Sequence, residues 1–182
     1  DDRFGPRFAE NATRRLGDRR IFTFHKGMGH IPTDIAPDLR ARSYRIEAHV
    51  TAMPGDEGVL IAHGDATCGY SLYVKDDRLH FDVNVGEHQI VSSNAPVPAG
   101  EHILSVHVTH GAPVRAELRC DGKPIGDGTI RFGFVNFISW SGLDIGHDRS
   151  SPVSDYSAPF AFTGELTKVV VTIEDEQGDA EG

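Results

Sequence analysis

The densest run of side chains able to do chemistry is Gly146-His147-Asp148-Arg149-Ser150-Ser151-Pro152-Val153-Ser154-Asp155-Tyr156. With Asp144 just before it, the carboxylates of Asp148 and Asp155 supply oxygen donors of the kind calcium takes alongside backbone carbonyls. The spacing lacks the tight alternation of a dedicated calcium loop. The same residues therefore also read as a loop tied together by Asp and Ser hydrogen bonds to its own backbone, the more economical account. A second chemistry is sugar recognition. Tyr70, Tyr73, Trp140 and Tyr156 are aromatic faces on which a pyranose ring can stack, and His147 and Arg149 are polar groups that could hold its hydroxyls. Against this stands the ordinary fate of strand aromatics, which is burial in a core.

Motifs for catalysis are missing. There is no H-E-x-x-H, no phosphate-binding loop and no C-x-x-C. Gly69-Tyr70-Ser71-Leu72-Tyr73 begins like a nucleophile elbow but ends in tyrosine where glycine is required. The ten histidines are scattered, and His107 and His110 would face opposite sides of a regular strand. His147 and Asp148 are near each other only as members of one loop, which is not the convergence that acid–base catalysis needs. Cys68 and Cys120 are far apart in sequence; two buried thiols are the simplest reading, and a disulfide requires their strands to be neighbours.

The elements that must position these residues are strands. At 182 residues and 38% hydrophobic content the chain suits one domain, and its 20 glycines and 10 prolines punctuate short β-branched runs. Phe8, Ala12 and Leu16 recur every fourth residue and predict one short helix in a connector over residues 1–19. From Arg20 period two takes over: Tyr44, Ile46, Ala48 and Val50 alternate with Arg45, Glu47, His49 and Thr51. Further strands are expected at Gly58–His63, Tyr70–Lys75, Arg78–Val85, His88–Ser92, Ile103–Thr109, Val114–Cys120 and Phe160–Ile173. Asp76-Asp77 and Asp121-Gly122 are expected two-residue hairpin turns. Val169-Val170-Val171 predicts a central strand covered on both faces. The expected fold is an all-β, two-sheet antiparallel β-sandwich of jelly-roll type over residues 20–174, with an acidic, disordered tail over 175–182.

Charge narrows the partners. The net charge is −9, and Glu174, Asp175, Glu176, Asp179 and Glu181 carry more than half of it. Such a domain repels nucleic acid and strongly sulfated polymers at long range. No stretch approaches the eighteen or so apolar residues that span a bilayer, so no membrane partner is expected.

Ile31-Pro32-Thr33-Asp34-Ile35-Ala36-Pro37, Gly58-Val59-Leu60-Ile61-Ala62-His63-Gly64 and Gly69-Tyr70-Ser71-Leu72-Tyr73-Val74-Lys75-Asp76 resemble the region that follows the catalytic domain in a family of arylsulfatases. So do Gly142-Leu143-Asp144-Ile145-Gly146-His147-Asp148, Ser151-Pro152-Val153-Ser154 and Phe160-Ala161-Phe162-Thr163-Gly164. In that family the region is similar to a concanavalin A-like or laminin-G-like sandwich. Asp1-Asp2-Arg3-Phe4 resembles the segment just beyond the catalytic domain. The resemblance implies a non-catalytic accessory domain whose partner is a sulfatase catalytic domain, with a glycan or sulfate ester possible at the interface. The parent enzyme would use calcium and formylglycine. This chain is expected to hold neither cofactor: Ser150-Ser151-Pro152-Val153-Ser154 carries serine where the S-x-P-x-R motif has arginine. The alternative is a lectin-like carbohydrate-binding module.

Overall fold

A computed structural model describes residues 20–134, 138, 140–149 and 151–174. Its strands are β1 (Ile21–His25), β2 (Ser43–Ala52), β3 (Gly58–Gly64), β4 (Gly69–Lys75), β5 (Arg78–Asn84), β6 (Ile90–Ser92), β7 (Gly100–Thr109), β8 (Val114–Cys120), β9 (Lys123–Ile130), β10 (Leu143–Ile145) and β11 (Glu165–Glu174). They pair antiparallel into two sheets, one ordered β1-β11-β2-β7-β8-β9 and the other β10-β3-β4-β5-β6. Among the described residues the only helical element is a 3-10 turn, Thr33–Ile35. The helix expected within residues 1–19 and the tail over 175–182 lie outside the described residues. No helix among the described residues is long and apolar enough to cross a membrane.

The two sheets face each other across one core because their strands alternate. On β2, Tyr44, Ile46, Ala48 and Val50 are buried while Arg45, Glu47 and His49 lie on the other face. Ile46 sits between Val106 of β7 and Val171 of β11, so inward residues of adjacent strands meet in register. The opposing sheet contributes Leu72, Phe81 and Leu143, all fully buried. Removing such a side chain from water stabilises the fold by about 1.5–3 kcal/mol each.

Both expected hairpin turns form. Asp76 and Asp77 take φ of 53° and 59° between the paired Lys75 and Arg78, and Asp121 and Gly122 take 52° and 80° between Cys120 and Lys123. Positive φ at both central positions is the backbone that matches strand twist in a two-residue turn, and aspartate and glycine tolerate it best.

Two strand expectations are corrected. β9 was hidden in Lys123-Pro124-Ile125-Gly126-Asp127-Gly128-Thr129-Ile130, a composition that argues against a strand. It forms at the sheet edge, where Pro124 needs no second pairing partner. A Cβ at Gly126 would lie 2.7 Å from the Ser92 carbonyl, so glycine lets β9 close against β6. The doubly covered strand is not β11, whose Val170 is only half-buried, but β3, buried at every position, and its neighbour β4. A register shift between Val59 and Ile61 turns Leu60 and Ile61 toward the main core and leaves Val59 and Ala62 facing outward. What covers that outward face is the loop that follows β10.

Candidate functional site

The segment after β10 folds back over the small sheet as a cap. Its backbone is stitched to β3 through Gly146 N–H to Leu60 O (2.9 Å) and Val59 N–H to Phe160 O (2.8 Å). Beneath it Val59, Ala62, Tyr73 and Val153 form a satellite core joined by Tyr156 and Phe160. The Tyr73 ring stands edge-on to Tyr156 at 5.1 Å, and Tyr156 stacks on Phe160 at the same distance. The Tyr73 hydroxyl lies 2.9 Å from Ser154 Oγ, and burial raises its pKa to about 12.

The polar residues of this loop serve the cap. Asp148 accepts the Tyr156 hydroxyl at 2.6 Å and the Val153 N–H at 2.9 Å, both on Oδ2. Its desolvation pushes the carboxyl up from the usual range, while these two donors pull it back. Asp144 is buried too, receiving the Arg149 N–H at 2.8 Å and lying 2.8 Å from His30 Nδ1. His147 donates from Nδ1 to the Ile145 carbonyl at 3.1 Å. Asp155 points to solvent, and its backbone carbonyl receives Lys75 Nζ at 2.8 Å. Asp144 and Asp148 thus each accept bonds of their own, while the Asp155 carboxylate is exposed. Arg149 is exposed at the edge of the cap.

The aromatic candidates separate in the same way. Tyr70 is wholly buried between Phe81 and Phe134 in the main core, and Tyr73 is under the cap. Neither is a stacking platform, which corrects that expectation: β4 is covered on both faces, and its side chains from Tyr70 to Val74 are enclosed. Tyr156 is half-buried as part of the same cluster. Trp140 is different, with 75% of its surface exposed.

Trp140 stands at the lip of a cavity of about 220 Å³, lined also by Thr33, Asp34, Asp38, Arg40 and His63. The β1–β2 connection supplies one wall. It is anchored by mutual backbone bonds between Ile31 and Leu143, which extend the small sheet by one more chain. Thr33 Oγ1 accepts the Gly142 N–H at 3.1 Å and lies 3.1 Å from His63 Nε2, tying three segments together at the cavity. The glycine matters here: a Cβ at Gly142, φ +84°, would fall 2.4 Å from the His30 ring. Arg40 grips Asp38 with two parallel bonds of 2.9 Å, and that guanidinium holds the Asp38 carboxyl below its usual range.

His63 was not among the sequence candidates, yet it is the unusual group of the site. It is 1% exposed, and its Nδ1 has no hydrogen-bond partner among the described residues. Burial lowers its pKa to about 4, so the ring is neutral at pH 7. The tyrosine paired with it, Tyr70, buries a hydroxyl that likewise has no hydrogen-bond partner among the described residues. The signal in sequence was a lone histidine ending the apolar run Val59-Leu60-Ile61-Ala62.

No protein-family model matches the chain, and no curated protein matches it. Solved structures do. A carbohydrate-binding module of family 40 from the Ruminococcus gnavus intramolecular trans-sialidase, solved with α2,3-sialyllactose, superposes with a TM-score of 0.57 at 12% identity, covering 85% of this chain and 89% of that one. The leech intramolecular trans-sialidase matches with a TM-score of 0.53 at 12% identity over 85% of this chain and 25% of its own. Mouse laminin α1 domains LG4-5 give 0.50 at 17% identity over 87% of this chain and 40% of theirs. The fold is a laminin-G-like jelly roll. At these identities the likeness speaks for the laminin-G-like fold alone.

Proposed function

We propose that this laminin-G-like domain is a non-catalytic, lectin-like module that binds a neutral glycan at the cavity beside Trp140. The observation that carries the reading is a tryptophan three-quarters exposed at the lip of a polar cavity. An exposed indole beside a polar cavity offers a sugar ring a flat apolar face to pack on, while the ring's hydroxyls reach Thr33, Asp34 and Asp38. The cavity is about the size of one sugar ring with its water. Its arginine is already clamped by Asp38, and the domain is acidic, so a sugar carboxylate or sulfate would meet carboxylates and no uncommitted guanidinium. The module of Ruminococcus gnavus with sialyllactose supports the class of ligand; the groups in this cavity favour an uncharged member of it.

Calorimetric titration of the domain with neutral mono- and oligosaccharides tests this. Binding in the millimolar range or tighter is expected, and Trp140→Ala should weaken it roughly tenfold, the loss of about 1–2 kcal/mol of stacking. Absence of binding at millimolar sugar, or binding indifferent to Trp140→Ala, overturns it.

The parent protein we propose is a sulfatase, with this domain as its C-terminal accessory module and with calcium and formylglycine confined to the catalytic domain. The stretches that resemble that family fall on the β1–β2 connection, β3, β4, β10 and the cap, the segments that build and cover the small sheet. Its test is whether the reading frame upstream of Asp1 continues into a domain containing C-x-P-x-R or S-x-P-x-R.

A further inference from the structure

The β8–β9 hairpin presents a group of side chains unrelated to the cavity. His102 on β7 and Cys120 at the end of β8 lie on the same, inward face of the large sheet, since Cys120 is directly opposite Leu104 and Leu104 is two residues from His102. Asp121 occupies the first position of the turn, with φ 52°. Its backbone N–H donates to the Ile103 carbonyl at 2.8 Å, and its Oδ1 accepts the Ile103 N–H at 2.8 Å. These two bonds fix the carboxylate and aim Oδ2 at His102 Nδ1, 2.6 Å away.

The hydrogen atoms around His102 are constrained. Nε2 is 2.9 Å from the carbonyl of Ala99, which only accepts, so Nε2 carries a proton. In the neutral ring Nδ1 is then a lone pair, and it faces a carboxylate oxygen that is also an acceptor. Two acceptors at that separation require a cation between them. A proton is one solution. A metal ion is the other, once the two atoms part to the roughly 3.3 Å that two metal bonds of about 2.0 Å span at a tetrahedral angle; Cys120 adds a third donor, and the ligand atoms of His102, Cys120 and Asp121 all lie within 4.8 Å of one another.

We propose that His102, Cys120 and Asp121 form a binding site for a zinc-like transition-metal dication. Nitrogen, sulfur and oxygen donors together suit such an ion better than calcium or magnesium, which take oxygen alone. The Ala99 carbonyl holds the ring by its distal N–H, as the outer contacts of metal-bound histidines commonly do. Three protein ligands leave a fourth position for water. Binding releases the Cys120 thiol proton to solvent, leaving a thiolate on the metal. His102 is six residues along β7 from Val108, about 20 Å at strand rise. Val108 and Val83 line one cleft, and Val83 pairs with Tyr70, the partner of His63. The site is therefore at the opposite end of the sandwich from the cavity, and neither proposal depends on the other.

Cobalt(II), added to the purified full chain, serves as the spectroscopic probe for this site. One equivalent should produce a thiolate-to-cobalt charge-transfer band in the near ultraviolet. Zinc titrations in buffers of different ionisation enthalpy should report proton release. Cys120→Ser should abolish the band, and His102→Gln and Asp121→Asn should each weaken binding roughly tenfold or more, while Cys68→Ser leaves it intact. His102→Gln keeps the core thiol in place and decides the matter even if Cys120→Ser folds poorly. No band in the wild-type chain, a band that survives His102→Gln unweakened, or one lost with Cys68→Ser overturns the proposal.

Discussion

A buried imidazole pays more for its charge than for its neutral ring, and His63 shows where that energy acts. Its folded pKa of about 4 lies well below the ordinary histidine value. Above about pH 6.5 both the folded and the unfolded chain hold a neutral ring, so no penalty arises. Below it the unfolded chain takes up a proton that the folded one refuses, and folding loses stability until the pH reaches the folded pKa. The expected loss between those limits is on the order of 3 kcal/mol. Urea unfolding at a series of pH values measures it, and His63→Leu should flatten the pH slope over this window; an unchanged slope would assign the loss to other groups. His63 and Trp140 differ in how visible they were. Trp140 was recognisable as an aromatic of possible use, but nothing in its neighbours said that it, rather than Tyr70 or Tyr73, would remain in water.

The cap over the small sheet is held by few, well-placed bonds, so single atoms in it have consequences for the whole element. Tyr156→Phe removes one of the two donors on Asp148 Oδ2 and also the contact of 3.0 Å with Ser71 Oγ. The buried carboxylate is left less satisfied, and the expected cost is about 1.5–3 kcal/mol. A lower urea midpoint with an unchanged m-value would register it; a midpoint within error of wild type would mean that water replaces the phenol without penalty. At this scale the alternation of β2 and the two tight turns were readable because they are local: each residue's neighbour in sequence fixes its face or its backbone angle. β9 and the cap were not, because what makes them is contact with distant chain. Gly126 and Gly128 read as breakers until β6 is placed beside them, where Val91 and Ser92 leave no room for a side chain.

For the molecule as a whole, both sheets share one core, and the two should melt together. Leu72 of β4 and Leu104 of β7 are each fully buried from opposite sides. Leu72→Ala and Leu104→Ala should each lower stability by about 2–5 kcal/mol, with near- and far-ultraviolet circular dichroism following a single transition in both variants. Separate transitions would show the sheets to be independent units.

The sequence alone determined that this chain builds an antiparallel sandwich, since period-two alternation and aspartate-rich turns act over a few residues and need no partner to be read. It also made clear that familiar catalytic motifs are missing, and it pointed to the polar loop and the aromatics as candidates. Only the tertiary structure decided their roles. Exposure depends on what lands on a face, and the loop carrying Asp148 and Tyr156 lands on β3 and β4, burying Tyr73 and spending its own carboxylates. The same packing brings Thr33, His63 and Trp140 around one cavity and, at the far end, His102 to Cys120 and Asp121. Those meetings join residues far apart along the chain, and strand pairing, which no local pattern encodes, is what creates them.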